Sequence, residues 1–431
     1  MQNVQSSVKP SHVRFKILAL LFVNVVINYM DRANISVTAT ALSEDLGFSS
    51  VELGFIFSAF GWTYAAFQIP GGLLVDYIGP RVLYAASLIS WSVATLLQGF
   101  TNQFATLFSL RLGVGALEAP AYPINNHIVT NWFPTHERAF SIAIYTSGQY
   151  VGLALLAPAM MSIQYYLGWR ILFVITGLIG IAWGFIWYIF YRDPNKHKSV
   201  NQSELNYIEK GGGLLTQQNQ LATNRQLNFK WSNLKVVFSH RKLWGIYIGQ
   251  FMLGANMWFF LTWFPTYLVK YRGLSFLQTG FLTSVPFLAA FVGILLSGFF
   301  SDYMVKKGVS IDIARKVPVI SGFILAVSIV GANYVESTFL IILIMATAFF
   351  GTGMASITWI FVSLLAPKNL LGLTGGTFNF IGNLSSIVIP IIIGFLVQDG
   401  DFKPALIFVG SLGVIGLCSY IFLVGKLERI E

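Results

Sequence analysis

The sequence predicts an all-α integral membrane protein with twelve transmembrane helices arranged in two six-helix bundles, and three observations predict this class. Hydrophobic residues make up 55% of the 431 residues and charged residues only 10%, against about a quarter charged in soluble proteins. Apolar runs long enough to cross a bilayer, about 20 residues each, recur twelve times along the chain. One polar segment divides these runs into two sets of six.

The predicted spans follow one another through short turns. They cover residues 15–42, 50–77, 80–100, 103–130, 137–166, 169–191, 241–269, 276–305, 316–335, 337–366, 369–398 and 402–426. This predicts an N-terminal bundle over 15–191, a linker over 192–240 and a C-terminal bundle over 241–426, with tails at 1–14 and 427–431. The linker stretch SELNYIEKGGG (203–213) is typical of a short surface helix ended by glycine.

The charge distribution predicts the topology. The net charge is +10, and Lys and Arg concentrate in cytoplasmic loops of membrane proteins. With both termini in the cytoplasm, most of the 27 Lys and Arg residues fall on the cytoplasmic side. Those that fall outside are Arg170, Lys270, Arg272 and Lys403. Topology therefore explains the positive charge, and no nucleic-acid partner is expected.

A short motif occurs at equivalent positions in the two halves. GGLLVDYIGPR (71–81) ends the second span and SGFFSDYMVKKG (297–308) ends the eighth, so that Gly72 matches Gly298 and Asp76 matches Asp302. Such internal repeats are an architecture of secondary transporters. The glycines permit close helix approach, and the acids with basic neighbours such as Arg81 could form an ion-pair gate at the cytoplasmic mouth. The alternative is that charged turns merely mark the membrane boundary.

Four charged residues lie within the predicted membrane interior, all in the first half. They are Asp31, Arg32, Arg111 and Glu118. Each costs about 2.5–3.5 kcal/mol at a helix centre on the insertion scale, so pairing or access to water is required. Asn24, Asn28, Asp31 and Arg32 follow a helical period in the first span, and Arg111 and Glu118 lie two turns apart in the fourth, so both polar stripes are expected to face a common interior.

These charges support a coupling hypothesis. Arginine stays charged and can bind a carboxylate through two parallel hydrogen bonds, whereas Asp and Glu in a low-dielectric site can exchange protons near neutrality. When ionised, Asp31 and Glu118 would compete with an anion for the arginines; when protonated, they would release that positive charge to the substrate. The alternative is a buried ion-pair network that only fixes helix packing, but buried pairs rarely stabilise more than apolar packing does.

The second half contributes uncharged polar residues. Amides, hydroxyls and aromatic rings suit a polyhydroxylated ligand, and together with the arginines they predict a sugar-acid site, although each alone could be a packing contact. The candidate substrate-binding residues of both halves are Tyr29, Tyr64, Gln149, Gln250, Ser356, Thr358, Trp359 and Asn379.

Several stretches together resemble a known family. They are NYMDRANISV, FSAFGWTYAAFQIPGGLLVDYIGPR, RLGVGALEAPAYPINNHIVTNWFPTHERA, YTSGQYVGL and FFGTGMASITWIFVSLLAP. On these residues the chain is similar, along essentially its whole length, to the anion:cation symporters of the major facilitator superfamily. SITW and GLTGGTFNFIGN make it most similar to bacterial D-galactonate/proton symporters, with glucarate/galactarate and hexuronate permeases as near relatives.

The resemblance implies two bundles that alternate between outward and inward states. It implies that Asp31 and Glu118 are the protonatable acids, that Arg32 and Arg111 are their charge partners, and that the eight polar and aromatic residues above face a sugar acid. The second aspartate turn departs from the first, with Val305 and Lys306 where Gly79 and Pro80 stand, which weakens the assignment of Asp302 to a gate.

The expected function is a proton-driven importer of a sugar-acid anion in the bacterial inner membrane, with protons as the coupling ion, no other cofactor, no metal, and one chain in contact with lipid as the working unit. An organic-anion exchanger or a sodium-coupled carrier stays open as an alternative. An enzyme or receptor is disfavoured because the sequence has no HExxH or GxxxxGK[ST] motif and no cysteine-based metal spacing.

Overall fold

The computed structural model describes residues 9–213, 231–367 and 370–430, which are almost entirely helical. The first half contains α1 (Val13–Leu46), α2 (Ser50–Ile78), α3 (Pro80–Gln98), α4 (Phe104–Glu118), α5 (Ala121–Trp132), α6 (Thr135–Leu167) and α7 (Trp169–Phe190). A short linker helix, α8 (Gln202–Lys210), follows, and Gly211 ends it as the sequence predicts.

The second half is built from helices of 7 to 31 residues. They are α9 (Trp231–Ser239), α10 (Arg241–Thr262), α11 (Phe276–Lys306), α12 (Ile311–Val327), α13 (Thr338–Ala355), α14 (Trp359–Leu365), α15 (Leu371–Leu396) and α16 (Lys403–Cys418). Short 3₁₀ or π turns extend or join several of them, including Ser356–Thr358 between α13 and α14.

Helices occur at all twelve predicted spans. In the part of the chain that the structure describes, nine helical segments are long and apolar enough to cross a membrane. The other three predicted spans correspond to α2, to the pair α4 and α5, and to α10 with its extension to Tyr271. The fourth span is therefore interrupted, because Ala119 and Pro120 separate α4 from α5 and proline cannot donate the backbone hydrogen bond of a continuous helix.

The two halves repeat each other in how their second helices begin. Ser49 and Glu52 form a reciprocal capping box at the start of α2, and Ser275 and Gln278 form the same box at the start of α11. Each box satisfies two backbone donors that a helix start leaves free. The repeat that the aspartate turns predicted at one end of these helices is thus present at the other end as well.

Ion pairs near the ends of helices define two ends of the molecule. At one end, here called the linker end, Arg14 of α1 lies between Glu137 of α6 and Glu204 of α8, with nitrogen–oxygen distances of 2.9 and 3.2 Å. At the opposite end, here called the far end, Arg170 pairs with Asp45.

Glu204 fastens the linker helix to the start of α1. Its carboxylate accepts hydrogen bonds from the Ser11 hydroxyl at 2.5 Å and from the backbone nitrogens of Val13 and Arg14 at 3.0 and 3.1 Å. Burial by itself raises the pKa of Glu204, but these bonds and the Arg14 guanidinium outweigh it and hold the pKa below its ordinary value. The ionised carboxylate is therefore part of the folded linker end.

The two halves pack closely at the far end. A Cβ atom at Gly54 of α2 would lie 2.7 Å from the carbonyl oxygen of Pro390 in α15, and one at Gly280 of α11 would lie 3.0 Å from the Cα of Pro158 in α6. Ser284 of α11 donates a hydrogen bond of 2.6 Å to the carbonyl of Ala154 in α6. These glycines let the two pairs of helices touch backbone to backbone.

Toward the linker end the same helices diverge. Along α2 the contacts with the second half that the structure shows run from Ser50, beside Gly394 of α15, to Gln68, which accepts from Asn379 Nδ2 at 3.3 Å. Neither glycine of the aspartate turns makes a close approach here: a Cβ at Gly72 would meet only Pro123 of the same half, at 3.8 Å, and one at Gly298 would meet no atom within 4 Å. The structure is thus closed at the far end and open at the linker end.

The predicted gate residues lie at this open end without bridging the halves. Asp302 pairs with Arg315 of its own half at 2.7 Å, and Arg81 donates to the carbonyl of Tyr188 at 2.9 Å. The side chain of Asp76 lies outside the described part of the chain.

Candidate functional site

The four interior charges lie together at the middle of the first half. Asp31 and Glu118 are fully buried, and Arg111 and Arg32 are 1% and 6% exposed. The long helix α1 carries Asp31 and Arg32 at mid-length, and the break at Ala119–Pro120 places Glu118 at the last residue of α4. The structure therefore brings together the four residues that the sequence singled out.

Glu118 and Arg32 form the central ion pair. The Glu118 Oε1 atom accepts from Arg32 Nε at 2.7 Å, and Arg32 Nη2 lies 2.5 Å from the same oxygen. Glu118 Oε2 has no hydrogen-bond partner among the described residues. Breaking a buried pair by removing one partner typically costs 3–5 kcal/mol because a charge is left without compensation.

Asp31 is held by different partners. Its Oδ2 atom accepts a hydrogen bond of 2.9 Å from Nε1 of Trp91 in α3, while Arg111 Nη1 donates to the Asp31 backbone carbonyl at 3.2 Å. Asp31 Oδ1 has no hydrogen-bond partner among the residues described. The two acids are thus bound unequally, one by a guanidinium and one by an indole.

Aromatic rings surround Arg32. Its guanidinium carbon lies 4.8 Å from the ring centre of Tyr29, 4.7 Å from that of Phe60 and 4.8 Å from that of Tyr64. Aromatic faces stabilise a desolvated cation, and an arginine can stack on them while its nitrogens stay free for an anion. Two predicted substrate-binding residues, Tyr29 and Tyr64, therefore lie beside the arginine.

The second half places its predicted polar residues around an irregular turn. The 3₁₀ turn Ser356–Thr358 interrupts the tenth predicted span, and the Thr358 hydroxyl donates to Gln250 Oε1 at 2.9 Å. Trp359 follows and is 51% exposed. A local change from α to 3₁₀ geometry presents side chains and peptide groups that a continuous helix would hide.

Two contacts connect the halves near the middle. Asn379 Nδ2 of α15 donates to Gln68 Oε1 of α2 at 3.3 Å, and Tyr150 of α6 lies beside both Gln149 and Ser356. Two predicted residues of the second half, Asn379 and Ser356, thus contact the first half.

Sequence reasoning missed Trp91, Gln68 and Tyr150. Trp91 carries a detectable signal, because a buried indole N–H needs an acceptor and the third span holds no acid that could provide one. Gln68 is an amide next to the Ile69-Pro70 step of an otherwise apolar helix, which is also a detectable signal. Tyr150 gives no such signal, because its position beside Ser356 depends on how the halves pack.

Comparison with known proteins identifies the class. The family model described as Major Facilitator Superfamily matches residues 21–311, so the chain belongs to this superfamily of transporters and is not an enzyme. Solved structures agree with the fold: the inward-open xylose transporter XylE from E. coli is 14% identical, with a TM-score of 0.73 over 96% of this chain and 97% of that one. A D-xylose–proton symporter is 15% identical, with a TM-score of 0.73 over 96% of this chain and 98% of the other.

Relatives of similar length are named as transporters of sugar acids. A D-galactonate transporter from Escherichia coli O6:H1 is 47% identical over 99% of both chains. A probable galactarate/D-glucarate transporter, GudP, from Bacillus subtilis is 42% identical over 99% of this chain and 95% of its own length. The chain is a multi-pass protein of the bacterial inner-membrane type.

Proposed function

We propose that this protein is a proton-coupled importer of a sugar-acid anion, D-galactonate first among the candidates, and that it works by alternating access. The observation that carries the proposal is the Arg32–Glu118 ion pair, buried at 6% and 0% exposure inside a ring of aromatic side chains. An arginine that is suited to bind a carboxylate is already occupied by an internal one, and proton uptake is the simplest event that separates the two.

The coupling follows from competition for Arg32. While Glu118 is ionised it occupies the Arg32 Nε and Nη2 atoms, and an incoming carboxylate would meet a site that is already neutral. Protonation of Glu118 removes its charge and frees both nitrogens for two parallel bonds to the substrate carboxylate. Asp31 precedes Arg32 in the sequence and accepts a hydrogen bond from Trp91. In this scheme it is the second proton carrier.

The substrate class rests on the second half and on the relatives. Gln250, Thr358 and Asn379 carry the donors and acceptors that hydroxyl groups require, and relatives that match 95–99% of their own length are named for galactonate or for galactarate and glucarate. Identity is higher to the galactonate transporter, 47% against 42%, and this favours an aldonate over an aldarate.

The proposal assigns a direction to the structure. The excess of Lys and Arg at the linker end favours a cytoplasmic location for it, and with this orientation a molecule closed at the far end and open at the linker end faces inward. It would release substrate and proton from this state into the cytoplasm.

Uptake in proteoliposomes tests the proposal. With the outside acidified, labelled D-galactonate is expected to accumulate above equilibrium, and unlabelled D-galactonate is expected to compete better than glucarate, glucuronate or gluconate. Glu118→Gln should abolish this accumulation while exchange of internal for external substrate continues, because glutamine carries no titrating proton. Glu44→Gln, at an exposed far-end acid, is the matched control and should accumulate like the native protein.

The outcomes separate the alternatives. Accumulation that needs a sodium gradient instead of a pH gradient would indicate a sodium-coupled carrier, and exchange without accumulation would indicate an exchanger. Accumulation by Glu118→Gln against a gradient would remove Glu118 from the coupling mechanism. Stronger competition by glucarate or glucuronate would keep the mechanism and change the substrate.

A further inference from the structure

The interior of the first half contains more buried polar groups than the ion pair requires. Asn24, Asn28 and Asn125 are fully buried, and so is Tyr84. Asn28 lies within hydrogen-bonding reach of Glu118, and Tyr84 within reach of Asn24 and Asn125. Several of their atoms nevertheless have no hydrogen bond of good geometry with a described residue, namely Asn28 Nδ2 and Oδ1, Asn125 Nδ2 and Oδ1, Asn24 Nδ2 and the Tyr84 hydroxyl. A polar group buried without a partner costs about 1–3 kcal/mol, and groups of this kind are where interior waters bind.

These side chains are arranged in sequence between the acids and the linker end. Asn28 lies next to Glu118, one turn from Asp31 along α1. Tyr84 of α3 lies next to both Asn24 of α1 and Asn125 of α5, each of them closer to the linker end than the acid on its own span. We call Asn24, Asn28, Tyr84 and Asn125 the amide column.

The amide column continues to the surface of the linker end. The Tyr84 ring lies 4.9 Å from the ring of Trp187, which stacks at 4.5 Å on Tyr191. The Tyr191 hydroxyl donates to Asp193 Oδ1 at 3.3 Å, and Asp193 follows the end of α7. The rings of Tyr84, Trp187 and Tyr191 and the Asp193 carboxylate thus lie in line from the amide column to the loop before the linker helix, with the Trp187 ring between the two tyrosines.

The acids themselves are closed off from the opening between the halves. Glu118 Oε1 is taken by Arg32, and Tyr29, Phe60 and Tyr64 surround that arginine. Both acids stay fully buried although the halves diverge at the linker end. Asp31 Oδ1 and Glu118 Oε2 have no hydrogen bond of good geometry with a described residue, so these oxygens have lone pairs that can take a proton.

We propose that the amide column is the path by which protons pass between the two acids and the cytoplasm, inside the first half and separate from the substrate opening. This inference rests on the proposed function, because it requires that the acids carry protons. A proton leaves the Glu118 carboxyl group, restores the carboxylate that pairs with Arg32, and moves as an excess proton along hydroxyls and bridging waters to Asp193. Buried polar groups that lack protein partners are the sites at which interior waters bind.

The test compares net transport with exchange in proteoliposomes. Tyr84→Phe removes one hydroxyl, and Asn125→Leu replaces an amide by an apolar side chain of similar size. Both are expected to slow proton-driven D-galactonate accumulation by about tenfold or more, which is less than the roughly hundredfold or more that a positioned proton-transfer group supplies in catalysis. Both should leave exchange at equal pH at its native rate, because exchange does not require the proton to leave the site.

Thr95→Val is the matched control. Thr95 is also on α3, fully buried, with an Oγ1 atom that has no hydrogen-bond partner among the described residues, but it lies on the far-end side of Trp91. Its loss of one hydroxyl should leave both rates unchanged.

The results distinguish this inference from the proposed function. Native accumulation rates in both Tyr84→Phe and Asn125→Leu would overturn the proposal that protons pass along the amide column. Loss of accumulation in Glu118→Gln would still support proton coupling. An equal loss of exchange and accumulation in Tyr84→Phe would also overturn it, because that pattern is expected from a purely structural role. Persistent accumulation in Glu118→Gln would instead contradict the proposed function itself.

Discussion

Arg32 combines close packing against aromatic rings with a buried ion pair. It is 6% exposed, pairs with Glu118 at 2.5 Å and lies under 5 Å from three aromatic ring centres. Arg111 has a different environment, because it donates to the backbone carbonyl of Asp31 and not to a carboxylate. The two arginines are therefore not equivalent: Arg32 pairs with a carboxylate, for which an anion would compete in the proposed mechanism, and Arg111 donates to the backbone of α1.

This difference predicts the effect of a conservative change. Arg32→Lys keeps the charge but loses the planar pair of donors and the stacking on Tyr29 and Tyr64. Loss of one charged hydrogen bond is worth about 1.5–3 kcal/mol, so the half-saturation concentration for D-galactonate exchange should rise by roughly tenfold or more.

Arg170→Lys is the control for this experiment. Arg170 pairs with Asp45 at the far end, with both side chains more than 40% exposed, and exposed pairs contribute little. Its half-saturation concentration should match that of the native protein. An unchanged value in Arg32→Lys would mean that the substrate carboxylate binds elsewhere.

For individual residues, the sequence identifies the charged side chains of the site better than it identifies their hydrogen-bond partners. Asp31, Arg32, Arg111 and Glu118 are conspicuous because charge is costly in a membrane, and the structure brings them together. The bond from Trp91 to Asp31 could not be predicted, since it depends on how far α3 is rotated toward α1. A single sequence holds no information about that rotation.

Among the helices, the contacts between α2 and α15 and between α6 and α11 decide which end of the molecule is closed. Small residues permit both contacts. A Cβ at Gly394 of α15 would lie 2.7 Å from the carbonyl oxygen of Ser50 and 3.3 Å from the Cα of Gly54. These are distances to backbone atoms, which cannot move aside as a flexible side chain can.

Gly394→Ala should therefore weaken the closure of the far end. Gly376 lies on the same helix, and a Cβ there would meet no atom within 4 Å, so Gly376→Ala is the matched control. Both variants gain the same helix propensity on replacing glycine, and only the first introduces a clash between halves.

Spin labels can measure this effect. Cysteines in place of Glu44 and Asp399, both exposed far-end residues of opposite halves, would be labelled in a Cys418→Ser background, since Cys418 is the single native cysteine. The distance between the labels is expected to lengthen in Gly394→Ala and to stay native in Gly376→Ala. An unchanged distance in Gly394→Ala would show that the contact between Gly394 and α2 does not hold the far end closed.

The sequence predicted the helices well and their interruptions less well. All twelve predicted spans coincide with helices, because about 20 apolar residues in a bilayer have little alternative to helix. The break at Ala119–Pro120 contains a proline, but this residue type alone does not predict a break, because other prolines such as Pro158 and Pro286 lie inside continuous helices. The 3₁₀ turn at Ser356–Thr358 is not predicted either, because serine, isoleucine and threonine are all tolerated in an ordinary membrane helix.

For the whole molecule, the two halves repeat each other in structure but differ in buried charge. Capping boxes begin α2 and α11 in the same way, and the aspartate turns end these helices at equivalent positions. The buried acids and arginines, however, all belong to the first half. We infer that the first half holds the carboxylate and the protons and that the second half recognises the rest of the substrate.

Alternating access then predicts opposite movements at the two ends. A substrate with contacts in both halves favours the conformation in which both sets of contacts form, and in this structure the halves already touch at the far end. D-galactonate binding at low pH should therefore narrow the distribution of distances across the linker end, measured between labels at Lys196→Cys and Lys307→Cys, and shift it to shorter values.

The distance between labels at positions 44 and 399 of the far end should lengthen as the linker-end distance shortens. The reason is that α2 and α11 extend from one end of the contact to the other, so two rigid halves cannot close on each other at both ends. The same measurement with Glu118→Gln at neutral pH is expected to resemble the native protein at low pH, since the glutamine mimics the protonated acid. Shortening at the linker end without lengthening at the far end would exclude this rigid-body account and leave a local closure around the substrate in its place.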